Sequence, residues 1–126
     1  MKKILVVDDQ PDIRKLMRLT LGLRYKVSEA ACASEAGDKV AGERPDLVLL
    51  DIMMPGVNGL EWCAMMKRQA CIPSMKIIFV SARGQASDVA EGMAAGADGY
   101  IIKPFSPLEL LKLVERHLDH ADPAVA

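Results

Sequence analysis

Short apolar runs recur along the chain and alternate with segments of helical periodicity. Four of these runs are continuous, which favours parallel strands buried on both faces. They lie at 3–7, 46–50, 76–80 and 98–102, and a more polar candidate for an edge strand lies at 26–30. Helical patterns fill the intervals, at about 11–23, 34–42, 59–69, 86–95 and 106–119. Five strand–helix pairs in succession predict a doubly wound α/β domain, an open parallel sheet with helices on both faces.

Individual residues mark the expected ends of several helices. Pro11 lies near the start of the first helical segment. Ser106 followed by Pro107 predicts an N-cap and a first helical residue for the last helix. Gly96 is placed to end the fourth helix.

Length and composition limit the class of protein. The chain has 126 residues, a hydrophobic share of 51% and a formal net charge of -1, which suits one domain. We expect that domain over 1–120 and a flexible tail over 121–126. The charge balance gives no reason to expect direct nucleic-acid binding, and no apolar stretch suits a membrane span or a signal peptide. The three cysteines form no disulfide or zinc-site pattern, so we expect a cytoplasmic protein.

Polar residues follow four of the predicted strands at the point where each strand ends. Asp8 and Asp9 end the first strand, Asp51 the third, Ser81 the fourth and Lys103 the fifth. The carboxyl ends of parallel strands lie along one rim of a sheet, where open α/β folds bind their ligands. These five side chains are therefore expected to meet.

The residue types on this rim suit phosphoryl transfer. Two carboxylates ~4 Å apart repel each other by ~4 kcal/mol at an effective dielectric near ~20, and a divalent cation removes that cost. Ligands that are all oxygen favour Mg²⁺. One carboxylate can then attack phosphorus, while an ammonium and a hydroxyl stabilise the phosphoryl oxygens. Taken singly, each residue is more often a helix cap, a turn residue or a solvated lysine; only their joint placement points to a site.

Four segments, in order and at matching intervals, resemble the receiver domain of bacterial two-component response regulators. They read VVDDQPDIR (6–14), DLVLLDIMMPGVNGLE (46–61), IIFVSARG (77–84) and GADGYIIKPFSPLEL (96–110). The resemblance covers residues 2 to about 119. It implies a flavodoxin-like, CheY-like fold of five helices and five strands in the order 2-1-3-4-5.

The resemblance also implies a metal and phosphorylation site. Asp51 matches the phosphoacceptor. Asp9 and Asp51 match the direct Mg²⁺ ligands, and Asp8 matches the residue that holds a metal-bound water. Met53 matches the position whose backbone carbonyl binds the metal.

Three further positions match the family's switch residues. Ser81 matches the switch hydroxyl, and Tyr100 matches the aromatic residue whose rotamer follows that hydroxyl. Lys103 matches the phosphate-binding lysine, which the family joins to the next residue, here Pro104, through a cis peptide bond.

The implied function is one step of a phosphorelay, with one protein partner that donates the phosphoryl group and another that responds to it. The phosphoryl group would come from a sensor histidine kinase or a histidine phosphotransfer protein. Phosphorylation would reshape the surface of the fourth helix, fifth strand and fifth helix, and so control a downstream protein effector as a monomer or a phosphorylation-dependent homodimer. Self-phosphorylation and self-dephosphorylation are the only catalysis expected.

Two local hypotheses concern access to this site. Apolar Ile13 and Leu16 in the first helix, with Pro104 and Phe105, are candidates for docking the phosphodonor. A broad buried face of that helix explains Ile13 and Leu16 equally well. Met53 and Arg83, each two positions beyond a site residue, are candidates for shielding the acyl phosphate from water.

Two other functions are possible for a chain with this pattern of residues. An aspartyl-phosphate phosphatase needs an acid two residues after its nucleophile, where this chain has Met53. A receiver from a longer DNA-binding regulator fits better, yet winged-helix regulators of the family usually carry a second aspartate where this chain has Gly99 after Asp98. That departure favours a stand-alone regulator.

Overall fold

The computed structural model describes residues 1–54, 56–69 and 74–118. Five parallel strands form one sheet in the order β2-β1-β3-β4-β5. The strands are β1 (Lys3–Val7), β2 (Lys26–Ala30), β3 (Leu47–Leu50), β4 (Lys76–Ser81) and β5 (Gly99–Ile102). The helices are α1 (Pro11–Leu21), α2 (Ala33–Glu43), α3 (Gly59–Arg68), α4 (Ala86–Ala94) and α5 (Pro107–Leu118). The predicted fold class and strand order are confirmed.

Two apolar layers cover the two faces of the sheet. Successive residues of a strand point to opposite faces, so Leu5 and Val7 pack in the layer that holds α2 and α3. Ile4 and Val6 pack in the other layer, with α1 and α5. Every residue of β3 is buried, which explains why the central strands read as continuous apolar runs. Trp62 of α3 is 2% exposed, as expected for a packing residue.

The helix ends follow the predicted signals closely. Ser106 Oγ accepts a hydrogen bond from Glu109 N at 3.1 Å, and Glu109 accepts one in return from Ser106 N. Helix α4 ends two residues before Gly96, whose φ of 105° favours glycine. None of the described helices is long and apolar enough to cross a membrane.

The boundaries differ from the predictions by one or two residues. Helix α1 ends at Leu21 rather than at 23 because Gly22 caps it, with Gly22 N donating to Arg18 O at 2.8 Å. Strand β4 continues through Ser81, since Ser81 pairs with Ile102 of β5. The predicted last residue of α5 and the predicted tail over 121–126 lie outside the described residues.

Candidate functional site

Three carboxylates converge at the carboxyl end of the sheet. Asp8 and Asp9 follow β1, and Asp51 follows the adjacent β3, in which Leu50 pairs with Val7. One oxygen from each carboxylate lies within 4.8 Å of the others. Asp8 is fully buried, Asp51 is 6% exposed and Asp9 faces solvent. The cluster is therefore anchored in the protein and open to solvent on one side.

The backbone around Asp51 fixes the direction of its carboxylate. Met53 N donates to Asp51 Oδ1 at 3.1 Å. Gly59 lets the start of α3 approach this turn, since a Cβ on Gly59 would lie 2.6 Å from Asp51 O and 2.8 Å from Ile52 Cα. Asn58 caps the same helix by accepting from Leu60 N. A side chain at position 59 would push α3 away from the site.

Lys103 brings a positive charge into the cluster from the end of β5. Its Nζ lies 2.8 Å from Asp8 Oδ2 and 3.4 Å from Asp51 Oδ2. Its backbone N donates to Ser81 O at 2.8 Å, and its peptide bond to Pro104 is cis, as the resemblance implied. One lysine thus touches two of the three carboxylates.

Burial and charge shift the pKa values of the site in identifiable ways. Burial raises the pKa of Asp51, although the Met53 amide and the Lys103 charge oppose this rise. Burial lowers the pKa of Lys103, but its hydrogen bond to Asp8 and the charges of Asp51 and Asp8 outweigh it and leave the pKa above its usual value. The lysine therefore stays charged beside Asp8 and Asp51.

Ser81 and Tyr100 are joined through one loop residue. Ser81 is fully buried, and its Oγ accepts from Arg83 N at 3.1 Å. The Tyr100 hydroxyl donates to Arg83 O at 2.6 Å, while its ring packs against Phe79 at 6.0 Å between centroids. Burial raises the pKa of the Tyr100 phenol, and the nearby Ser81 hydroxyl opposes that rise. Arg83 is thus held by both side chains.

An apolar groove lies beside Lys103. Its volume is about 250 Å³, and Leu16 in its wall is 37% exposed. The lining residues are Ile13, Leu16, Ala82, Lys103, Pro104 and Phe105. The structure thus brings together all four residues that the sequence suggested for docking, while their role in docking stays a prediction.

One contact of the site was missed by reasoning from sequence. Arg14 Nη1 donates to the backbone oxygen of Asp8 at 2.7 Å, and Arg14 Nε pairs with Glu29 at 3.2 Å. The only signal in the sequence is the position of Arg14, about one helical turn after the start of α1. That position alone does not reveal which backbone group the side chain reaches.

The donor set fits a hard divalent cation. Every ligand atom of the cluster is a carboxylate oxygen, and such sets suit Mg²⁺ better than softer metals. The open side at Asp9 leaves room for the waters that Mg²⁺ retains. The residues present therefore fit the predicted metal.

Comparison with known proteins identifies the family. A family model described as "Response regulator receiver domain" matches residues 4–115. The chain belongs to this family. The receiver domain is 42% identical over 120 residues to the transcriptional regulatory protein ResD of Bacillus subtilis, covering 94% of this chain and 49% of ResD. It is 37% identical over 123 residues to the phosphate regulon regulator PhoB of Pseudomonas aeruginosa, covering 97% and 54%.

Solved structures place the receiver domain in the same family. The chemotaxis response regulator CheY4 of Vibrio cholerae superposes with a TM-score of 0.88 at 34% identity, covering 94% of this chain and 99% of CheY4. The chain spans about half the length of ResD and PhoB. The predicted family is confirmed, while the roles of the individual site residues stay predictions.

Proposed function

We propose that this receiver domain accepts a phosphoryl group onto Asp51, with Mg²⁺ held by Asp8, Asp9 and Asp51. One observation carries the proposal: the Lys103 ammonium lies within 3.4 Å of Asp8 and Asp51, where three carboxylate oxygens lie within 4.8 Å of one another. Nucleophile, metal ligands and a cation for the phosphoryl oxygens thus share one rim.

The proposed reaction needs no general base. A carboxylate oxygen of Asp51 attacks the phosphorus of a phosphohistidine whose other ring nitrogen carries a proton, and the P–N bond breaks as its electron pair returns to the imidazole nitrogen. The products are an acyl phosphate on Asp51 and a neutral histidine on the donor. The three carboxylates and the backbone carbonyl of Met53 would hold Mg²⁺, which would neutralise charge on the phosphoryl oxygens. Lys103 binds one of those oxygens, and the Ser81 hydroxyl donates to another.

The proposed switch begins at the hydroxyl of Ser81. Turning toward the phosphoryl group would weaken its link to Arg83 N, which is 3.1 Å long in this structure. Tyr100 would respond because it holds the same residue through Arg83 O. The outcome is a shift between two arrangements of the surface formed by α4, β5 and α5. A downstream protein effector would read that surface, either from a monomer or from a phosphorylation-dependent homodimer.

The phosphodonor is proposed to be a sensor histidine kinase or a histidine phosphotransfer protein. The groove beside Lys103 supports this because its walls, Ile13, Leu16, Pro104 and Phe105, are apolar and lie next to the reacting group. An apolar contact there would exclude water from the transfer.

A receiver within a longer transcriptional regulator is the second candidate setting. It is favoured by ResD and PhoB, which are regulators of transcription and about twice the length of the matched region. Asp98, whose Gly99 neighbour suggested a stand-alone regulator, is engaged internally here: its Oδ2 lies 2.6 Å from Lys67 Nζ and accepts from Ile77 N. In both settings this domain is the phosphorylated unit and does not itself bind DNA.

A small P–N donor tests the proposed chemistry without a protein partner. Phosphoramidate carries the same type of bond as phosphohistidine. Incubated with Mg²⁺, it should yield a hydroxylamine-labile phosphoryl adduct, and chelation of Mg²⁺ by EDTA should prevent its formation. An adduct that resists hydroxylamine, or forms equally in EDTA, would contradict an acyl phosphate formed at a metal site.

A further inference from the structure

Arg14 connects the acidic cluster to the edge of the sheet. Its Nη1 donates to Asp8 O at 2.7 Å, and its Nε lies 3.2 Å from Glu29 Oε1 in β2. The Arg14 side chain is 18% exposed. One guanidinium therefore spans from α1 to the loop after β1 and to the edge strand.

The oxygen that Arg14 binds belongs to the peptide between Asp8 and Asp9. The orientation of this peptide determines the direction in which both carboxylates leave the backbone. The rest of Asp8 is also restrained, since its N donates to Ala30 O at 3.1 Å and its Oδ1 accepts from Gln10 N at 2.9 Å. Arg14 restrains the remaining backbone group of Asp8, its carbonyl oxygen, by donating a hydrogen bond to it.

We propose that Arg14 is a positioning residue for the Mg²⁺ site, acting through the peptide that joins Asp8, which holds a metal-bound water, to the direct ligand Asp9. The inference rests on the proposed function of the acidic cluster. The planar guanidinium suits this task because it makes two hydrogen bonds in fixed directions. Groups that orient metal ligands in this way typically change metal affinity about 10- to 100-fold when they are removed.

The charge of Arg14 and its proposed positioning role predict opposite effects on Mg²⁺ binding when Arg14 is removed. Arg14 is a cation near the site, so its removal should strengthen Mg²⁺ binding if only Coulomb forces act. Loss of an ordered Asp8–Asp9 peptide should weaken binding instead. The sign of the change therefore separates the two roles.

Arg18 provides a matched control on the same helix. Its Nε lies 3.0 Å from Glu29 Oε2, so it pairs with the same carboxylate as Arg14. No hydrogen bond from Arg18 to Asp8 is found among the described residues, and its side chain is 45% exposed. Arg18→Gln thus removes an arginine and an ion pair to Glu29 without touching the Asp8–Asp9 peptide.

The experiment is an NMR titration with MgCl₂ of the wild type, Arg14→Gln and Arg18→Gln. Amide shifts of Asp9 and Met53 report binding without any phosphoryl transfer. Arg14→Gln is expected to raise the Mg²⁺ Kd about tenfold, whereas Arg18→Gln leaves it unchanged. An Arg14→Gln variant whose Kd equals or falls below that of the wild type overturns the proposal.

Arg14→Lys covers the case in which Arg14→Gln does not fold. It keeps the charge, but one ammonium cannot reproduce the two directed contacts to Asp8 O and Glu29. Its Kd should also rise, and an unchanged Kd overturns the proposal. If the wild type shows no Mg²⁺-dependent shifts, the proposed function fails. If it binds Mg²⁺ and is phosphorylated while both Arg14 variants bind Mg²⁺ normally, only the role of Arg14 fails.

Discussion

The ammonium of Lys103 lies 2.8 Å from a carboxylate oxygen of Asp8, although the two residues are 95 positions apart in sequence. Asp8 is fully buried, and a buried carboxylate is costly unless a cation or hydrogen bonds compensate it. Lys103 therefore stabilises the buried Asp8 carboxylate, and links the ends of β1 and β5 across the sheet.

Lys103→Met is expected to destabilise the metal-free protein. It leaves the buried Asp8 carboxylate without its cation, a change that costs on the order of 3 kcal/mol in buried pairs. Added Mg²⁺ should recover part of this loss because it supplies a replacement charge. Urea unfolding in EDTA and in Mg²⁺ measures both effects, with Lys112→Met at an exposed position of α5 as the control. Equal stability of the two variants in EDTA would contradict this role.

Asp51→Asn is expected to stabilise the metal-free protein at neutral pH. Burial raises the pKa of Asp51, so the folded state holds this proton more tightly than the unfolded chain does. Stability is then lost as the pH rises from the ordinary carboxyl pKa through the raised one. The substituted amide does not ionise and so avoids that loss. The difference in stability between Asp51→Asn and the wild type should therefore shrink as the pH falls back through the same range.

Urea unfolding at neutral and at acidic pH checks the effect of Asp51→Asn. Asp38→Asn, at an exposed position of α2, controls for removal of a carboxylate elsewhere. An Asp51→Asn variant that is less stable than the wild type at neutral pH would show that the carboxylate is not under strain from burial.

Gly92 in α4 is expected to respond to alanine differently from the glycines of α2. A Cβ on Gly92 would lie 3.1 Å from ring carbons of Phe79 and Tyr100, whereas Gly37 and Gly42 have open space. Gly37→Ala should stabilise the protein by up to about 1 kcal/mol through helix propensity. Gly92→Ala should lose that gain and displace the Tyr100 ring from its contact with Arg83.

Thermal unfolding and the NMR signals of the Tyr100 ring measure the effect of Gly92→Ala. A rise in Tm equal to that of Gly37→Ala, with unchanged ring signals, would mean that the added methyl group fits without moving the rings. The packing of Tyr100 would then not depend on Gly92.

Met53→Asn is expected to shorten the lifetime of the phosphorylated protein severalfold. Met53 is 57% exposed and lies two residues beyond Asp51, whose Oδ1 accepts from Met53 N. Replacing the thioether by an amide should admit and orient a hydrolytic water. The decay of the phosphorylated form by mass spectrometry gives the rate, with Met65→Asn at an exposed position of α3 as the control. Equal rates in the two variants would exclude shielding by Met53.

Ile13→Ala with Leu16→Ala is expected to slow transfer from a protein donor but not from phosphoramidate. Both side chains line the groove beside Lys103, and neither is one of the residues proposed to take part in the reaction. Rates of phosphorylation by the two donors give the comparison. Leu19→Ala, 60% exposed on the same helix but outside that groove, should leave both rates unchanged. Equal slowing with both donors would mean that the groove residues support the fold and not docking.

The sequence predicted the parts of the site that depend on strand order. Asp51 and Lys103 follow buried strands, and parallel strands bring their carboxyl ends to one rim whatever the loops do. The hydrogen bond from Arg14 to Asp8 could not be predicted in this way, because it depends on where α1 packs. The same holds for Gly59, whose need for close approach arises only once α3 lies against the Asp51 turn.

The sequence did not predict the contacts of the two proposed switch residues. Ser81 and Tyr100 match family positions, yet their shared partner Arg83 is set by the loop after β4. A side-chain rotamer depends on the packed environment and leaves no periodic signal in sequence. Tertiary contacts, and not residue types, therefore account for what reasoning from the chain missed.

Phosphorylation of Asp51 is most directly tested by the intact mass of the protein after incubation with acetyl phosphate and Mg²⁺. The wild type should gain one phosphoryl group only when Mg²⁺ is present, and Asp51→Asn should gain none. An equal adduct on Asp51→Asn, or no adduct on a wild type that binds Mg²⁺, would contradict the assignment of Asp51 as the phosphoacceptor.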